Sequence, residues 1–304
     1  MQKTDLFSDL NGLFGIRNSN EDLENKLKKW AEPPGTTEQA KSDHAVAMIK
    51  KAIDADQKLK SMDITAFVKG SYHNRTNIPS ESDVDVAVRL NNLYYNDYPV
   101  GTTCYDFGFS PAAYSFEDFR KDVASAIVNY FGNYKTTVGS KAIQVHSNTV
   151  RVDADVVPHV VHRKYNLDKT YIEGVALKTP NGQLIHNWPE QDYENGVQKN
   201  NDTSRGYKAV VRIIKNLKFE MIENGYGSAE KVGSFLIASL VWNIPNYYFQ
   251  DESYVKIVDD CLAYLKERTS YLANVGNSKE VNGTKKVFGT HQAWKFDDVH
   301  NSIC

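Results

Sequence analysis

Cysteine is scarce in this chain of 304 residues: Cys104, Cys261 and Cys304 are the only three, widely separated and odd in number. No CxxC pair exists, so neither a zinc knuckle nor a disulfide framework is indicated. A strong excess of either charge sign is also missing. The formal net charge is −2, which removes any global electrostatic case for nucleic acid while leaving a local basic patch open. No run of about 18 apolar residues occurs, as a bilayer-spanning helix would need. The opening MQKTDLFSDL lacks a basic segment followed by an apolar one, so a cytoplasmic protein without membrane contact is expected. Internal repeats and low-complexity linkers are absent as well.

What is present is apolar and aromatic material in quantity. Hydrophobic residues make up 41% of the chain, with 18 Tyr and 13 Phe, ample for a buried core in one large domain or two intimate ones. Residues 6–14 place Leu6, Phe7, Leu10, Leu13 and Phe14 at helical spacing. Residues 37–58 predict a longer helix with Ala45, Met48, Ile49, Ala52 and Ile53 in a stripe. A short β-prone run, Ile64 to Val68, ends at Gly70-Ser71. Helical spacing returns at 115–131, through Phe116, Phe119, Val123 and Ile127. Strand-like runs follow at 141–147 and 149–163, and a Pro-Asn-Gly turn at 180–182 separates two further extended pieces. From about 203 the pattern is mostly helical, with candidates at 207–222, 231–243 and 253–273.

The chemistry concentrates in the strand-like half. Residues 83–90, DVDVAVRL, alternate strictly: Val84, Val86 and Val88 face one way, and Asp83, Asp85 and Arg89 the other. Asp83 and Asp85 are then about 6.6 Å apart on one face. Carboxylates so placed can bridge two divalent cations about 3.5–4 Å apart. Upstream, with eleven residues intervening, Gly70-Ser71 offers a backbone that phosphate can approach closely, and a hydroxyl. A further carboxylate is available from 150–158, VRVDADVVP. There Arg151, Asp153 and Asp155 share one face and Val150, Val152, Ala154 and Val156 the other. Two acids on a β-prone strand are unfavourable unless that face is wet or metal-filled. An isolated Asp-x-Asp is ordinarily a solvated strand face; the Gly-Ser before it and the second acidic strand after it point to a metal site instead.

Gly70-Ser71, Asp83-Val84-Asp85 and Asp155-Val156-Val157-Pro158 together resemble the pattern of the DNA polymerase β-like nucleotidyltransferase superfamily. The Asp-Val-Val-Pro form is similar to that of its template-independent branch, which includes oligoadenylate synthases and archaeal CCA-adding enzymes. This favours Asp155 over Asp153 as the third metal ligand. A closer resemblance, over about residues 40–245, is to the cGAS/DncV-like nucleotidyltransferases (CD-NTases) of bacterial anti-phage systems, clade E in particular. It adds the stretch Ile185-His186-Asn187-Trp188-Pro189 and the segment Thr203 to Asn216.

The resemblance implies an α+β fold: a polymerase β-like core with a mixed sheet, plus a helical lobe, with the active site in the cleft between them. Residues 40–200 are expected to form the nucleotidyltransferase core and 201–304 the helical lobe, with 1–39 packing on the latter. The implied activity is pyrophosphate-releasing synthesis of a cyclic oligonucleotide second messenger from NTPs. Asp83, Asp85 and Asp155 would hold two Mg²⁺ (or Mn²⁺) ions, and a product-activated effector protein is the implied partner. A monomer that binds no nucleic acid is expected. Transfer to an RNA end or a small molecule is the nearest alternative, and a silent binding protein of the same fold is the other.

In the helical half, Lys208, Arg212 and Lys215 fall at i, i+4 and i+7, aligned on one helix face. Such a stripe reads as a solvated surface or as a phosphate clamp, and the resemblance points to Lys215 as a triphosphate contact. Ser234, at the start of the next helix, reads as an anion ligand or as an N-cap. Phe235 reads as a stacking platform for a nucleobase or as ordinary core. The resemblance also gives Asn187 a nucleobase contact; the bland alternative is that it shapes the turn before Trp188-Pro189. An amide carries both a donor and an acceptor, so it matches the O4 and N3–H edge of uracil and implies uridine incorporation, as in cyclic di-UMP. His159-x-x-His162 lies on or after a strand and is expected to be surface or satisfied histidine rather than a metal pair. The tail, Asn301-Ser302-Ile303-Cys304, gives no sign whether it is conjugated to other proteins, as in some relatives.

Overall fold

The computed structural model describes residues 20–79, 83–147, 153–290 and 292–303. The expected helix at 6–14, residues 150–152 of the second acidic strand and Cys304 lie outside them. The chain forms two compact units, one comprising Met1–Pro34, Asn74–Glu81 and Gln191–Cys304, the other Gly35–His73 and Ser82–Glu190.

The second unit is built on a seven-stranded mixed sheet. Its strands are β1 (Ile64–Val68), β2 (Val84–Tyr94), β3 (Thr136–Val138), β4 (Ile143–Val145), β5 (Ala154–Tyr165), β6 (Tyr171–Lys178) and β7 (Leu184–Asn187). The order is β1-β2-β5-β4-β3, with β6 on the remaining length of β5 and β7 beyond it. The β2–β5 pair is parallel and all other pairs are antiparallel. The alternation of DVDVAVRL holds: Val84, Val86 and Val88 are fully buried. They join Val156 and Val160 of β5 in a core with two helices. One runs Thr36–Ala55 and contributes Ala45, Ile49, Ala52 and Ile53; the other runs Phe116–Phe131 and contributes Phe119, Val123 and Ile127. Ser115 caps the latter by accepting from the Asp118 N–H, which satisfies a donor that the first turn leaves free. The helix expected at 37–58 breaks at Asp56. Its carboxylate accepts from the Lys58 and Leu59 N–H groups and starts a separate short turn. Asp85 and Asp155 lie on the sheet face opposite this core, because successive side chains alternate.

The first unit is helical. We number its helices α1 (Asn20–Ala31), α2 (Pro189–Asp202, which begins at the end of the other unit), α3 (Gly206–Glu223), α4 (Ser234–Trp242) and α5 (Tyr254–Arg268). Val210, Val211, Leu236, Leu240, Ile257, Cys261 and Leu265 form its main core. Leu23, Leu27 and Ala31 of α1 pack with Ala209 and Ile213 of α3 and Val258 of α5. No described helix is long and apolar enough to cross a membrane.

Candidate active site

The parallel register of β2 and β5 places Asp85 directly opposite Asp155, on strands about 4.8 Å apart. Asp83 immediately precedes β2, where the Val84 N–H donates to the Asp153 carbonyl at 2.9 Å. The three carboxylates act on one another. Burial, and then the charges of Asp85 and Asp83, push the Asp155 carboxyl above its ordinary pKa, against a hydrogen bond from Gln144 and the charge of Lys69. Gln144 is the residue of β4 paired with Asp155 from its other side.

Gly70 completes the surroundings of Asp85. Its φ is +69°, and a Cβ added there would lie 2.5 Å from Asp85 Oδ2. Only glycine fits both the left-handed backbone and the close carboxylate. Lys69, one residue earlier, holds its amine 3.4 Å from Asp85 Oδ1. Ser71 is half-buried and follows Gly70 into a single helical turn, Gly70–Asn74. The donor set is all hard oxygen, its acids repel one another, and the cradle leaves no room for a Cβ. These residues fit a hard divalent cation.

Asp153 has a different neighbourhood. Its Oδ1 accepts the Ser147 N–H at 2.9 Å and lies 3.9 Å from His146 Nδ1. Its carboxylate is thus engaged with the 146–147 segment.

Asn187 ends β7. It pairs with Val175, and Val175 pairs with Val161 of β5. Val161 is six residues from Asp155 on an unbroken strand, so Asn187 shares the carboxylate face. His162 and His186 take the opposite face. Of the two expected readings of His159 and His162, surface or satisfied, the surface one is corrected, since both rings are fully buried. Each directs Nδ1 at a backbone carbonyl, of Val157 and Tyr95 respectively, and burial drives the pKa of His159 down to about 3.

In the helical unit the cationic stripe is not a solvated face. Lys208, Arg212 and Lys215 are all buried. Arg212 donates from Nε to the Ala31 carbonyl at 3.0 Å and from Nη1 to the Arg75 carbonyl at 2.7 Å. Lys215 Nζ donates to the Thr76 carbonyl at 3.0 Å. Helix spacing aligned the charges; the carbonyls at the end of α1 and in the 75–76 segment receive Arg212 and Lys215. Ser234 is the first residue of α4, and the N-cap is Gly233, so the N-cap reading of Ser234 is corrected. Phe235 is 39% exposed and tilts toward Trp294, with ring centroids 6.5 Å apart; it is not core.

The cGAS/DncV-like nucleotidyltransferase C-terminal helical domain matches residues 194–304. The chain is 40% identical over 283 residues to the cyclic dipyrimidine nucleotide synthase CdnE of Legionella pneumophila, covering 91% of this chain and 94% of that protein. This chain belongs to the cGAS/DncV-like nucleotidyltransferases, clade E. It is a nucleotidyltransferase that makes a cyclic dinucleotide. Two solved relatives share the fold at 29% identity. The Rhodothermus marinus CdnE c-UMP-AMP synthase with Apcpp and Upnpp matches with a TM-score of 0.80, covering 92% of this chain and 93% of that one. The Elizabethkingia meningoseptica CdnE cyclic dinucleotide synthase with GTP and Apcpp matches at 0.76, covering 92% and 96%.

Two residues of the site escaped the sequence reading. Gln144 stands between Ile143 and Val145, an alternation that marks a half-buried strand but not its partner. Lys69 directly precedes the Gly-Ser pair, and only the approach of Asp85 gives it a role.

Proposed function

We propose that the product is a uridine-containing cyclic dinucleotide, with Asp83, Asp85 and Asp155 as the catalytic carboxylates and Asn187 as a base-selecting residue. The observation that carries this is the register. Asp85 and Asp155 are direct cross-strand partners, and the β5–β6–β7 pairing brings Asn187 to the same face. The relative at 40% identity, a cyclic dipyrimidine synthase, supports the choice of base.

The substrates are NTPs. A ribose hydroxyl of one attacks the α-phosphate of the other and releases pyrophosphate; a second such step closes the ring. Two Mg²⁺ or Mn²⁺ ions held by the three carboxylates would supply Lewis-acid activation of the hydroxyl and neutralise the leaving pyrophosphate. Lys69 orients Asp85, and Gln144 orients Asp155 through a hydrogen bond. Gly70 and Ser71 present backbone N–H and hydroxyl groups to phosphate oxygens. Lys215 and Ser234 are the proposed phosphate contacts of the helical unit, Lys215 by exchanging the Thr76 carbonyl for a phosphate oxygen, and Phe235 offers its exposed ring to a base. The cyclic product acts as a second messenger in anti-phage defence, read by an effector protein.

The test is Asp83→Ala combined with Asp85→Ala. Product formation should vanish while Tm stays at or above the wild-type value, because removing mutually repelling acids does not weaken the fold. Sustained turnover by the folded double variant contradicts the assignment.

A further inference from the structure

On the sheet face opposite the carboxylates, three side chains from three segments converge. His162 is on β5, His186 on β7, and Asp97 follows the end of β2. Their candidate ligand atoms all lie within 4.8 Å of one another. The strand between the two histidines makes this possible. On β6, Gly174 pairs with His162 and Ala176 pairs with His186, so the intervening strand has almost no side-chain bulk on that face. The imidazoles meet across it, with ring centroids 4.0 Å apart. Gly174 is not replaceable, because a Cβ there would lie 2.8 Å from Trp188 Cδ1.

Hydrogen bonding fixes what His162 offers. Its Nδ1 lies 2.6 Å from the Tyr95 carbonyl. A carbonyl only accepts, so Nδ1 carries the proton and Nε2 of the neutral ring carries a lone pair. That Nε2 is buried and has no hydrogen-bond partner among the described residues. Asp97 Oδ2 lies 3.7 Å from it and 3.8 Å from His186 Nδ1, beyond hydrogen-bond reach of both. Asp97 is held in place by its backbone: its N–H donates to the Arg163 carbonyl and its carbonyl accepts the Tyr165 N–H. A buried lone pair, a second imidazole and a carboxylate are thus gathered in one small volume, a donor set of the kind that takes a cation.

We propose that Asp97, His162 and His186 bind one transition-metal dication, Zn²⁺ by the chemistry of the donors, at a site distinct from the nucleotidyl-transfer carboxylates. Two imidazoles and one carboxylate are a three-ligand zinc set, and the Tyr95 carbonyl is the outer partner that zinc-binding histidines use to fix their tautomer. The Asp97 side chain is 49% exposed, so water can take the fourth position. The rings are stacked within 6° of parallel, and in-plane lone pairs of parallel rings do not converge. Capture therefore turns the His186 ring about its Cβ–Cγ bond, while Tyr95 holds His162 still. The bound ion ties β7 to β5 next to Asn187, and so stiffens the strand end that carries the base-selecting residue of the proposed function.

The full chain, stripped with a chelator and re-equilibrated in millimolar Mg²⁺, is titrated with Zn²⁺ by calorimetry and with Co²⁺ by visible absorption. One ion per chain is expected, with a Zn²⁺-dependent rise in Tm. His186→Ala and Asp97→Asn, both at partly exposed positions, should stay folded by circular dichroism and bind at least about tenfold more weakly. The Asp83→Ala/Asp85→Ala variant should bind as wild type, which separates this site from the catalytic one. Absence of Zn²⁺ binding by the wild type, undiminished binding by His186→Ala, or loss of binding in the Asp83/Asp85 variant each overturns the proposal.

Discussion

At the scale of single residues, the proposed choice of Asp155 over Asp153 rests on what each carboxylate already touches. Asp155 faces Asp85 across one strand spacing, whereas Asp153 is engaged by the Ser147 N–H. Asp155→Asn should lower turnover by more than about 100-fold, and Asp153→Asn by less than about 100-fold, since an outer-sphere partner is worth ~10–100-fold and a ligand more. Steady-state rates of the two purified variants check this, and a deadlier Asp153→Asn would shift the site by two residues. The pH dependence has a definite sign. Burial, then Asp85 and Asp83, raise the Asp155 carboxyl above its ordinary value of 3.8. A carboxyl held above its unfolded value stabilises the fold while protonated, and that stabilisation is lost as pH rises from the unfolded pKa through the folded one. In chelator at neutral pH, Asp155→Asn should therefore melt no lower than wild type, and acidification should narrow any advantage it has.

At the scale of elements, α1 reaches the start of α5 through the Glu24 side chain. The Glu24 carboxylate accepts from the Ser253 hydroxyl and from the Tyr254 and Val255 N–H groups. Burial pushes its pKa up, but the Val255 and Tyr254 N–H groups, Ser253 and Lys28 outweigh it, and the net pKa is lowered from 4.5. A lowered carboxyl contributes stability above its unfolded pKa and loses it as pH falls through the folded one. Glu24→Ala should destabilise the chain by ~1–2 kcal/mol at neutral pH, read as a lower Tm, and the deficit should shrink below about pH 4. A variant as stable as wild type at pH 7 would show that Glu24 does not cap α5.

Which elements were legible follows from the same physics. The DVDVAVRL alternation and the helical stripe from Ala45 to Ile53 name their elements because one face of each is buried. Helix α2 buries only Gly196, so it has no apolar period to reveal it. The register of β2 on β5 cannot be read from either strand, because it arises when segments seventy residues apart meet in one sheet. The Lys208–Arg212–Lys215 spacing was legible and its destination was not: the carbonyls of Ala31, Arg75 and Thr76 that receive Arg212 and Lys215 come from remote segments. The acidic motifs were legible because carboxylates on β-prone strands are unfavourable without a reason that lies outside the strand.

At the scale of the molecule, the relatives match nearly end to end yet differ in their bases. The protein at 40% identity is a dipyrimidine synthase, while one solved relative is seen with GTP and Apcpp. The same scaffold therefore serves different bases. A site that hydrogen-bonds one base rejects another chiefly through the polar groups left unpaired. Asn187→Ser should shift incorporation from UTP toward ATP or GTP at preserved overall turnover. The most direct measurement is mass analysis of the products that the unmutated protein forms from an equimolar mixture of the four NTPs with Mg²⁺ or Mn²⁺. A cyclic dinucleotide containing uridine, formed with release of pyrophosphate, is the predicted result; products made only of purine nucleotides would contradict it.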